Sequence, residues 1–346
     1  MRVLGRSYII NSERIQEIFS KYGKQNGYDM KKITVIGANS YIARNVIYTL
    51  MNKDEKYSLK LYDMSESFVD DDLYVKKENI SGDSNNQKGY STYVYSSVDI
   101  RSLESVSTID MDCDIIYMFV GKTGSANGFD DPDLFIDINE RALLNVLNAY
   151  RNQPNLPKIV FPSTRLVYKG KPGPQKEDAE KEFKTIYAIN KYACETYLEQ
   201  YERVFGIKYA IFRICIPYGT MIPGATSYGT AEFMLGKATN GENISLYGDG
   251  SQRRTLTYMG DLCEALIAGA ESEKCINDVY NIGGEDYSLA EMAELIAGKY
   301  EVEVVNAEWP EVALKIESGD TVFDDTKLQG CIGNVTTSKF VDWIDR

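Results

Sequence analysis

The stretch Ile33-Thr-Val-Ile-Gly37-Ala-Asn-Ser40-Tyr-Ile-Ala43 joins a short apolar run to a glycine turn. The apolar run is typical of a buried parallel strand, and residues 41–50 carry apolar side chains at helical spacing. The small residues of the turn would let backbone amides and a helix N-terminus approach a pyrophosphate. The stretch predicts a dinucleotide turn, although Ser40 and Ala43 replace two of the usual glycines and leave a plain strand-to-helix turn as the alternative.

Strand-like runs and amphipathic stretches alternate from this turn to about residue 213. The strand-like runs are Ser58–Tyr62, Thr92–Tyr95, Asp114–Phe119, Lys158–Phe161 and Lys208–Phe212. The later amphipathic stretches are Phe135–Tyr150 and Ile186–Phe205. This alternation predicts an α/β fold with a doubly wound, Rossmann-type parallel sheet.

The chain changes character at Ile214, where the rhythm of strands and helices becomes irregular. We predict a polar leader over 1–30, a large nucleotide-binding domain over 31–213 and a smaller α/β region over 214–346. The smaller region contains helical patches at 230–238, 260–270 and 288–299, and it would lie over the carboxyl edge of the sheet.

Composition excludes several classes of function. The 346 residues carry a formal net charge of −13 and show no basic stripe, so we expect no nucleic-acid partner. No apolar run approaches the ~18 residues of a membrane span and no signal peptide is recognisable, which favours a cytoplasmic protein without a membrane partner. There is no histidine, and none of the six cysteines forms a C-x-x-C pair, so we predict no metal site.

Two acidic residues follow predicted strands and suggest which dinucleotide binds. A carboxylate at Asp63 would accept hydrogen bonds from the adenosine ribose and repel a 2′-phosphate, which predicts NAD rather than NADP. Asp99 and Ile100 could hold the adenine. Taken alone, Asp99 would instead cap the segment that starts at Arg101.

Tyr187 and Lys191 lie four residues apart and therefore share one face of a predicted helix. A nearby ammonium favours the phenolate, so Lys191 would lower the pKa of Tyr187 and make it a base in a chain without histidine. The pair Tyr28 and Lys32 has the same spacing, so a chance match is the alternative for either pair.

A predicted strand ending at Ser163 and Thr164 supplies hydroxyls upstream of the tyrosine–lysine pair. With these motifs, residues 32–330 resemble the extended short-chain dehydrogenase/reductase family, the NAD-dependent sugar-nucleotide epimerases and dehydratases. The resemblance implies that Thr164 is the catalytic Ser/Thr, Tyr187 the base and Lys191 the ribose-binding lysine. It also matches Asn139 to a family asparagine and makes 214–346 the main sugar-nucleotide region.

The resemblance implies one set of residues that binds the cofactor and another that binds the substrate. In the second set, Arg254 would contact the substrate diphosphate. The cofactor-binding set is Gly37, Asn39, Ser40, Tyr41, Ile42, Asp63, Met64, Asp99, Ile100, Phe119, Val120, Gly121, Lys122, Tyr187, Lys191 and Ile214. The substrate-binding set is Thr123, Ser125, Ser163, Ile216 and Arg254.

Several positions depart from the family pattern and narrow the reaction. Arg165 and Leu166 stand where 4,6-dehydratases carry an Asp-Glu pair, which disfavours dehydration and also decarboxylation. Glu317 occupies the place of a second phosphate-binding arginine, and Ile216 that of an asparagine.

The interpretation that these residues favour is a nucleotide-sugar 4-epimerase. Tyr187, aided by Thr164, would take the O4 proton while a hydride leaves C4 for NAD, and the 4-keto sugar would turn over before the hydride returns. A 4-ketoreductase or 4-dehydrogenase is the nearest alternative, and a non-catalytic NAD-binding scaffold is the alternative of another class. Wide apolar faces on 139–152 and 187–203, which family members pair, predict a homodimer.

Overall fold

The computed structural model describes residues 30–78, 91–124 and 126–345, with the side chains of 75–78 excepted. The predicted leader, apart from its last residue, and the candidate Ser125 lie outside the described residues.

The described strands fall into one large sheet and three small ones. They are β1 (Lys31–Ile36), β2 (Tyr57–Asp63), β3 (Thr92–Ser97), β4 (Ile115–Met118), β5 (Lys158–Thr164), β6 (Pro174–Gln175), β7 (Lys208–Ile214), β8 (Ile216–Tyr218), β9 (Ile244–Tyr247), β10 (Arg253–Tyr258), β11 (Asp278–Asn281), β12 (Glu285–Ser288), β13 (Val304–Ala307) and β14 (Val322–Phe323).

The helices are interspersed among these strands. They are α1 (Tyr41–Asn52), α2 (Asp71–Glu78), α3 (Leu103–Val106), α4 (Asn127–Asp130), α5 (Pro132–Ile136), α6 (Ala142–Tyr150), α7 (Ile186–Phe205), α8 (Thr230–Thr239), α9 (Met259–Glu271), α10 (Leu289–Tyr300), α11 (Glu311–Ile316), α12 (Thr326–Ile332) and α13 (Phe340–Ile344).

The large sheet has the strand order β3-β2-β1-β4-β5-β7-β11, and every neighbouring pair in it is parallel. The order reverses between β1 and β4, where a ligand crevice forms at the carboxyl ends of the strands of such a sheet. The predicted Rossmann-type fold is confirmed.

Both faces of this sheet are buried, because successive strand residues point to opposite sides. Ile33 and Val35 face the core beneath α1 and α9, whereas Ile36 faces the core beneath α6 and α7. The apolar run that begins the first motif is therefore explained by burial on both sides.

The segment expected to form one helix over 135–150 is interrupted. α5 ends at Ile136, the residues Asp137–Arg141 form one π turn, and α6 starts at Ala142. A π turn inserts a residue into the helical ladder, and such turns often occur at functional sites. Here the turn contains the buried Asn139.

The region after residue 213 does not form a separate body. α9 packs on α1 and β11 extends the large sheet beside β7, so part of 214–346 completes the large unit. The smaller unit consists of the sheet β12-β10-β8, with α8 and α10 packed around its own core. None of the described helices combines the length and the apolarity needed to cross a bilayer.

Candidate active site

A cleft of about 430 Å³ opens where the order of the large sheet reverses. It collects the carboxyl ends of β1, β2 and β4 and Ser40, the residue that precedes α1. Eleven predicted cofactor-binding residues line it: Gly37, Asn39, Ser40, Asp63, Met64, Asp99, Ile100, Phe119, Val120, Gly121 and Lys122. Sequence reasoning missed further lining residues: Ile36, Ser65, Val98, Arg101, Ile138 and Ala142.

The glycine turn at the floor of the cleft suits a pyrophosphate. Gly37 has φ +89°, and a Cβ there would lie 2.7 Å from the backbone nitrogen of Val120. Only glycine fits such a position without strain. The Ser40 hydroxyl is buried at the N-terminus of α1 and has no hydrogen-bond partner among the described residues. An unpaired hydroxyl at a helix N-terminus fits the phosphate oxygens of a dinucleotide.

Asp63 lies at the rim of the cleft, at the end of β2, and its carboxylate is held in place. Oδ2 accepts the Asn39 N–H at 3.1 Å, and Oδ1 accepts the Ser65 N–H at 3.1 Å and hydroxyl at 3.0 Å. These bonds orient the carboxylate that was predicted to meet the ribose, so the residues present fit NAD.

Asp99, at the far end of the cleft, forms an ion pair with Arg101 over 2.6 Å. Hydrogen bonds from the Arg101 side chain lower the pKa of Asp99. Asp99 also accepts the Arg101 N–H at 3.0 Å, so the capping role considered from the sequence coexists with its place in the cleft. Arg101 was missed because nothing in its neighbourhood predicts that it faces a ligand.

Asn139 explains the π turn. Its side chain accepts the Lys122 N–H at 2.9 Å and donates to the Lys122 carbonyl at 3.2 Å. This pair of bonds fixes the chain after β4, so that Gly121 lines the cleft.

The predicted catalytic residues meet beside that segment. Thr164 ends β5, and Tyr187 lies in the first turn of α7, which begins at Thr185 because this hydroxyl accepts the Ala188 N–H at 3.0 Å. Burial raises the pKa of Tyr187, and the nearby Thr164 hydroxyl opposes this with a smaller effect that favours the phenolate.

Lys191 points toward the cleft from the next turn of α7. Its ammonium donates to the Pro162 carbonyl at 2.9 Å, and a Cβ on Gly121 would lie 3.5 Å from its Nζ. Burial lowers the pKa of Lys191 to about 8. The expected lowering of the Tyr187 pKa by Lys191 is absent from this conformation, because the ammonium is held by Pro162 and burial of the phenol dominates.

Ser163 is engaged within the protein core, which corrects its prediction as a substrate contact. Its buried hydroxyl donates to Glu195, which also forms a buried ion pair with Arg213 over 2.6 Å. The physical reason is strand alternation, which turns consecutive residues to opposite faces.

Five predicted cofactor residues are not among those that line the cleft: Tyr187 and Lys191 lie beside it, and three others contribute no side chain. Tyr41 and Ile42 pack against the core from the first turn of α1, and Ile214 lies within that core. The Tyr41 hydroxyl donates to the Gly219 carbonyl. Any contact of these three residues with NAD would therefore use backbone atoms. Of the predicted substrate residues, Thr123 is exposed and Ile216 is buried in β8.

Arg254 does not present a free guanidinium to the substrate region. It is 1% exposed, donates to the Gly319 carbonyl at 2.6 Å and forms an ion pair with Glu317 over 2.6 Å. The predicted contact with a diphosphate is therefore not supported in this conformation, because the carboxylate of Glu317 already takes the place of the anion.

The parallel sheet, the glycine turn at its switch point and the Thr164–Tyr187–Lys191 cluster define an NAD-binding site of the short-chain dehydrogenase type. Residues 33–283 match the model of the NAD dependent epimerase/dehydratase family. The chain belongs to this family, and its cofactor is NAD.

Two relatives and one solved structure illustrate the similarity. A provisionally assigned UDP-glucose 4-epimerase of Methanocaldococcus jannaschii is 26% identical over 67% of this chain and 74% of its own length. A UDP-N-acetyl-alpha-D-glucosaminuronate decarboxylase of Bacillus cytotoxicus is 30% identical over 52% and 57%, respectively.

The solved structure is the UDP-glucuronic acid 4-epimerase of Bacillus cereus in complex with UDP-glucuronic acid and NAD. It superposes with a TM-score of 0.73 at 22% identity and covers 91% of this chain and 96% of that one. At this identity the likeness shows the fold.

Proposed function

We propose that the protein is an NAD-dependent nucleotide-sugar 4-epimerase, with Thr164, Tyr187 and Lys191 as its catalytic residues. The observation that carries the proposal is that Thr164, at the end of β5, and Tyr187, in the first turn of α7, come together beside the Gly121 end of the cofactor cleft. A scaffold that only binds NAD has no need of such a pair of hydroxyls.

The chain's own groups supply the proton transfer. The Tyr187 phenolate would accept the proton of the sugar O4, and the Thr164 hydroxyl would hydrogen-bond to the same oxygen as charge develops there. NAD, when bound, supplies the hydride acceptor and donor for C4. Lys191 lies within reach of the cofactor cleft, where its ammonium would hold the ribose.

The residues after Thr164 favour epimerisation over elimination of water. Arg165 is a cation and Leu166 is apolar, and neither side chain supplies a carboxylate as acid or base for loss of water across C5 and C6. A reaction confined to C4 needs no such group. The relatives named 4-epimerase are consistent with this proposal.

The test is a turnover screen of nucleotide sugars followed by NMR and mass spectrometry. We expect C4 epimers to form with unchanged mass and no net change of NADH absorbance. Stoichiometric NADH formation or consumption would instead identify a 4-dehydrogenase or 4-ketoreductase. Absence of turnover with every nucleotide sugar, while NAD is firmly bound, would identify a scaffold.

We also propose a homodimer formed through α6 and α7. Leu143, Leu147 and Leu198 are buried in the core of one protomer. The half-buried Leu144 and Tyr192 are therefore the candidates for contact with a second protomer. Light scattering at micromolar concentration should give twice the chain mass. The mass of one chain would contradict this assembly.

A further inference from the structure

Two cysteines meet where the turn after α9 approaches α12, far from the cofactor cleft. Cys275 lies in that turn, and Cys331 lies near the end of α12. The Cys331 thiol donates to the carbonyl oxygen of Lys274, the residue directly before Cys275, over 3.8 Å. Both thiols are free, although their positions in the chain are 56 residues apart.

The backbone around the two thiols is held in one place. The Ser272 hydroxyl donates to the Cys331 carbonyl at 3.4 Å, and the Ser272 carbonyl accepts the Cys275 N–H at 3.2 Å. The Tyr280 hydroxyl donates to the Lys274 carbonyl at 3.2 Å, so it shares this acceptor with Cys331. Both cysteines are therefore fixed against the same turn.

The two sulfur atoms are close enough to affect each other's ionisation. Burial raises the pKa of Cys275 to about 12, and the neighbouring Cys331 thiol acts in the same direction with a smaller effect. The pKa of the Tyr280 phenol is also raised, first by burial and then by both thiols. These three groups therefore share one small environment, in which a second negative charge is unfavourable.

The two thiols differ in their access to solvent. Cys275 is fully buried in the core beneath α9, whereas Cys331 is half-buried and packs against that core from α12. Reaction of a thiol with a reagent requires access as well as ionisation, so Cys331 is suited to react first. The buried Cys275 is then in place as the resolving thiol.

We propose that Cys275 and Cys331 form a modification site, which a small-molecule disulfide oxidises to an intramolecular disulfide. The Cys331 thiolate attacks one sulfur of the reagent R–S–S–R and expels R–S⁻, which leaves the R–S group bonded to Cys331. Cys275 loses its proton, attacks the Cys331 sulfur and expels the second R–S⁻. The leaving groups take up the two thiol protons, so the reagent is reduced to two thiols as the protein gives up two electrons.

This disulfide would close a long segment of the chain. Residues 276–330 include α10, β12 and the loop at 317–320, so the bond would fasten much of the smaller unit to the end of α9. Closing such a loop restricts the unfolded chain and thereby stabilises the folded one. Neither cysteine lines the cofactor cleft, so the inference is independent of the proposed epimerase chemistry.

The test uses the whole protein, which is reduced with dithiothreitol, freed of it and incubated with glutathione disulfide. After an acid quench, N-ethylmaleimide in denaturant alkylates every remaining thiol, and non-reducing peptide mapping by mass spectrometry identifies the bonds. We expect one cross-linked peptide that joins Cys275 to Cys331. The Tm should rise by about 5–10 °C, and dithiothreitol should reverse both changes.

Three variants test the order of attack. Cys275→Ala removes the resolving thiol, so Cys331 should keep one bound glutathione. Cys331→Ser removes the accessible thiol, so Cys275 should stay reduced. Cys215→Ser is the matched control, because Cys215 is also half-buried and its thiol also contacts a backbone carbonyl, at 3.5 Å. The cross-link should persist in this control.

Four results would overturn the inference. Glutathione retained on Cys331 of the wild-type protein would show that Cys275 does not resolve it. Alkylation of both thiols after oxidation, or a cross-link between any other pair, would show that the two sulfurs do not form a reactive pair. A glutathione adduct on Cys275 in Cys331→Ser would reverse the order of attack. An unchanged Tm after the bond has formed would contradict its fastening of the segment.

Discussion

The turn after β1 and the loop at 317–320 both lie where the sequence predicts contacts with phosphate groups, but their side chains are arranged in opposite ways. In the turn, the Ser40 hydroxyl has no partner within the described part of the chain, and Asp63 is held at the rim of an open cleft. In the loop, Glu317 forms an ion pair with the buried Arg254, and the Gly319 carbonyl accepts a further hydrogen bond from its guanidinium. The cofactor half is thus arranged for a ligand before it arrives, whereas the substrate half has satisfied its own charges.

This difference indicates which half would have to rearrange when a ligand binds. A preorganised site binds its ligand without rearrangement, and the cost of ordering it is met by folding. In the substrate half a phosphate would have to compete with the carboxylate of Glu317. Among the described residues of this half, the Arg165 guanidinium donates to the Ser318 hydroxyl rather than to a carboxylate.

The largest effect is expected at the reacting hydroxyl. Tyr187→Phe removes the group that would exchange a proton with O4, and general acid–base catalysis typically contributes about 10²- to 10⁴-fold. Turnover should fall by at least this factor, while the affinity for NAD, measured by calorimetry, should stay unchanged. Retained turnover would remove Tyr187 from the chemistry.

The preorganised turn can be broken at its first glycine. Gly37→Ala places a Cβ against the backbone of Val120 at positive φ, which should cost about 2–3 kcal/mol of unfolding free energy and abolish NAD binding. Gly236→Ala is the matched control, because its Cβ would meet no atom within 4 Å inside α8. There alanine should stabilise by about 0.5–1 kcal/mol. Equal effects at the two positions in denaturant titrations would contradict the close-approach account.

The preference between NAD and NADP tests the role of Asp63 at the rim of the same cleft. NAD should bind more tightly than NADP by about 1–3 kcal/mol, because a 2′-phosphate would remove the hydrogen bond to Asp63 and repel its carboxylate. Asp63→Asn should narrow this gap, whereas Asp112→Asn, an exposed carboxylate paired with Lys32, should not. A preference for NADP in calorimetry would reverse our interpretation of Asp63.

The ion pair in the substrate half can be broken at Glu317. Glu317→Gln leaves the buried Arg254 without its counter-charge, so we expect a loss of about 1–2 kcal/mol of stability, less than for a fully buried pair because Glu317 is 22% exposed. Free UDP should then bind more tightly, since Arg254 becomes available to a diphosphate. The exposed Glu311, paired with Lys315, provides the control Glu311→Gln. Unchanged affinity for UDP would show that Arg254 does not face the ligand.

Features of the fold that depend on neighbouring residues were predictable from the sequence. The apolar run, the glycine and the spacing of Tyr187 and Lys191 each act within a few residues, so the sheet, the turn and the helix that carries both residues were found where expected. The prediction that Ser163 contacts the substrate was wrong, because it ignored that consecutive residues of a strand point to opposite faces.

Features that depend on distant partners were not predictable. The pairing of Arg254 with Glu317 joins residues 63 positions apart, and the contact of Arg165 with Ser318 spans 153. The sequence did show that Glu317 replaces an arginine, but only the fold shows that it neutralises one. The return of α9 and β11 to the large unit is likewise a tertiary effect, since their local patterns suit either unit.

The central claim, that hydride leaves and returns to the same carbon, is tested most directly with a nucleotide sugar deuterated at C4. NMR should show both C4 epimers, each with the deuterium retained at C4, after incubation in ordinary water without added cofactor. This result would require a carbon-bound deuteride that never exchanges with solvent. Loss of the deuterium to solvent, or a product lighter by one water, would contradict the account.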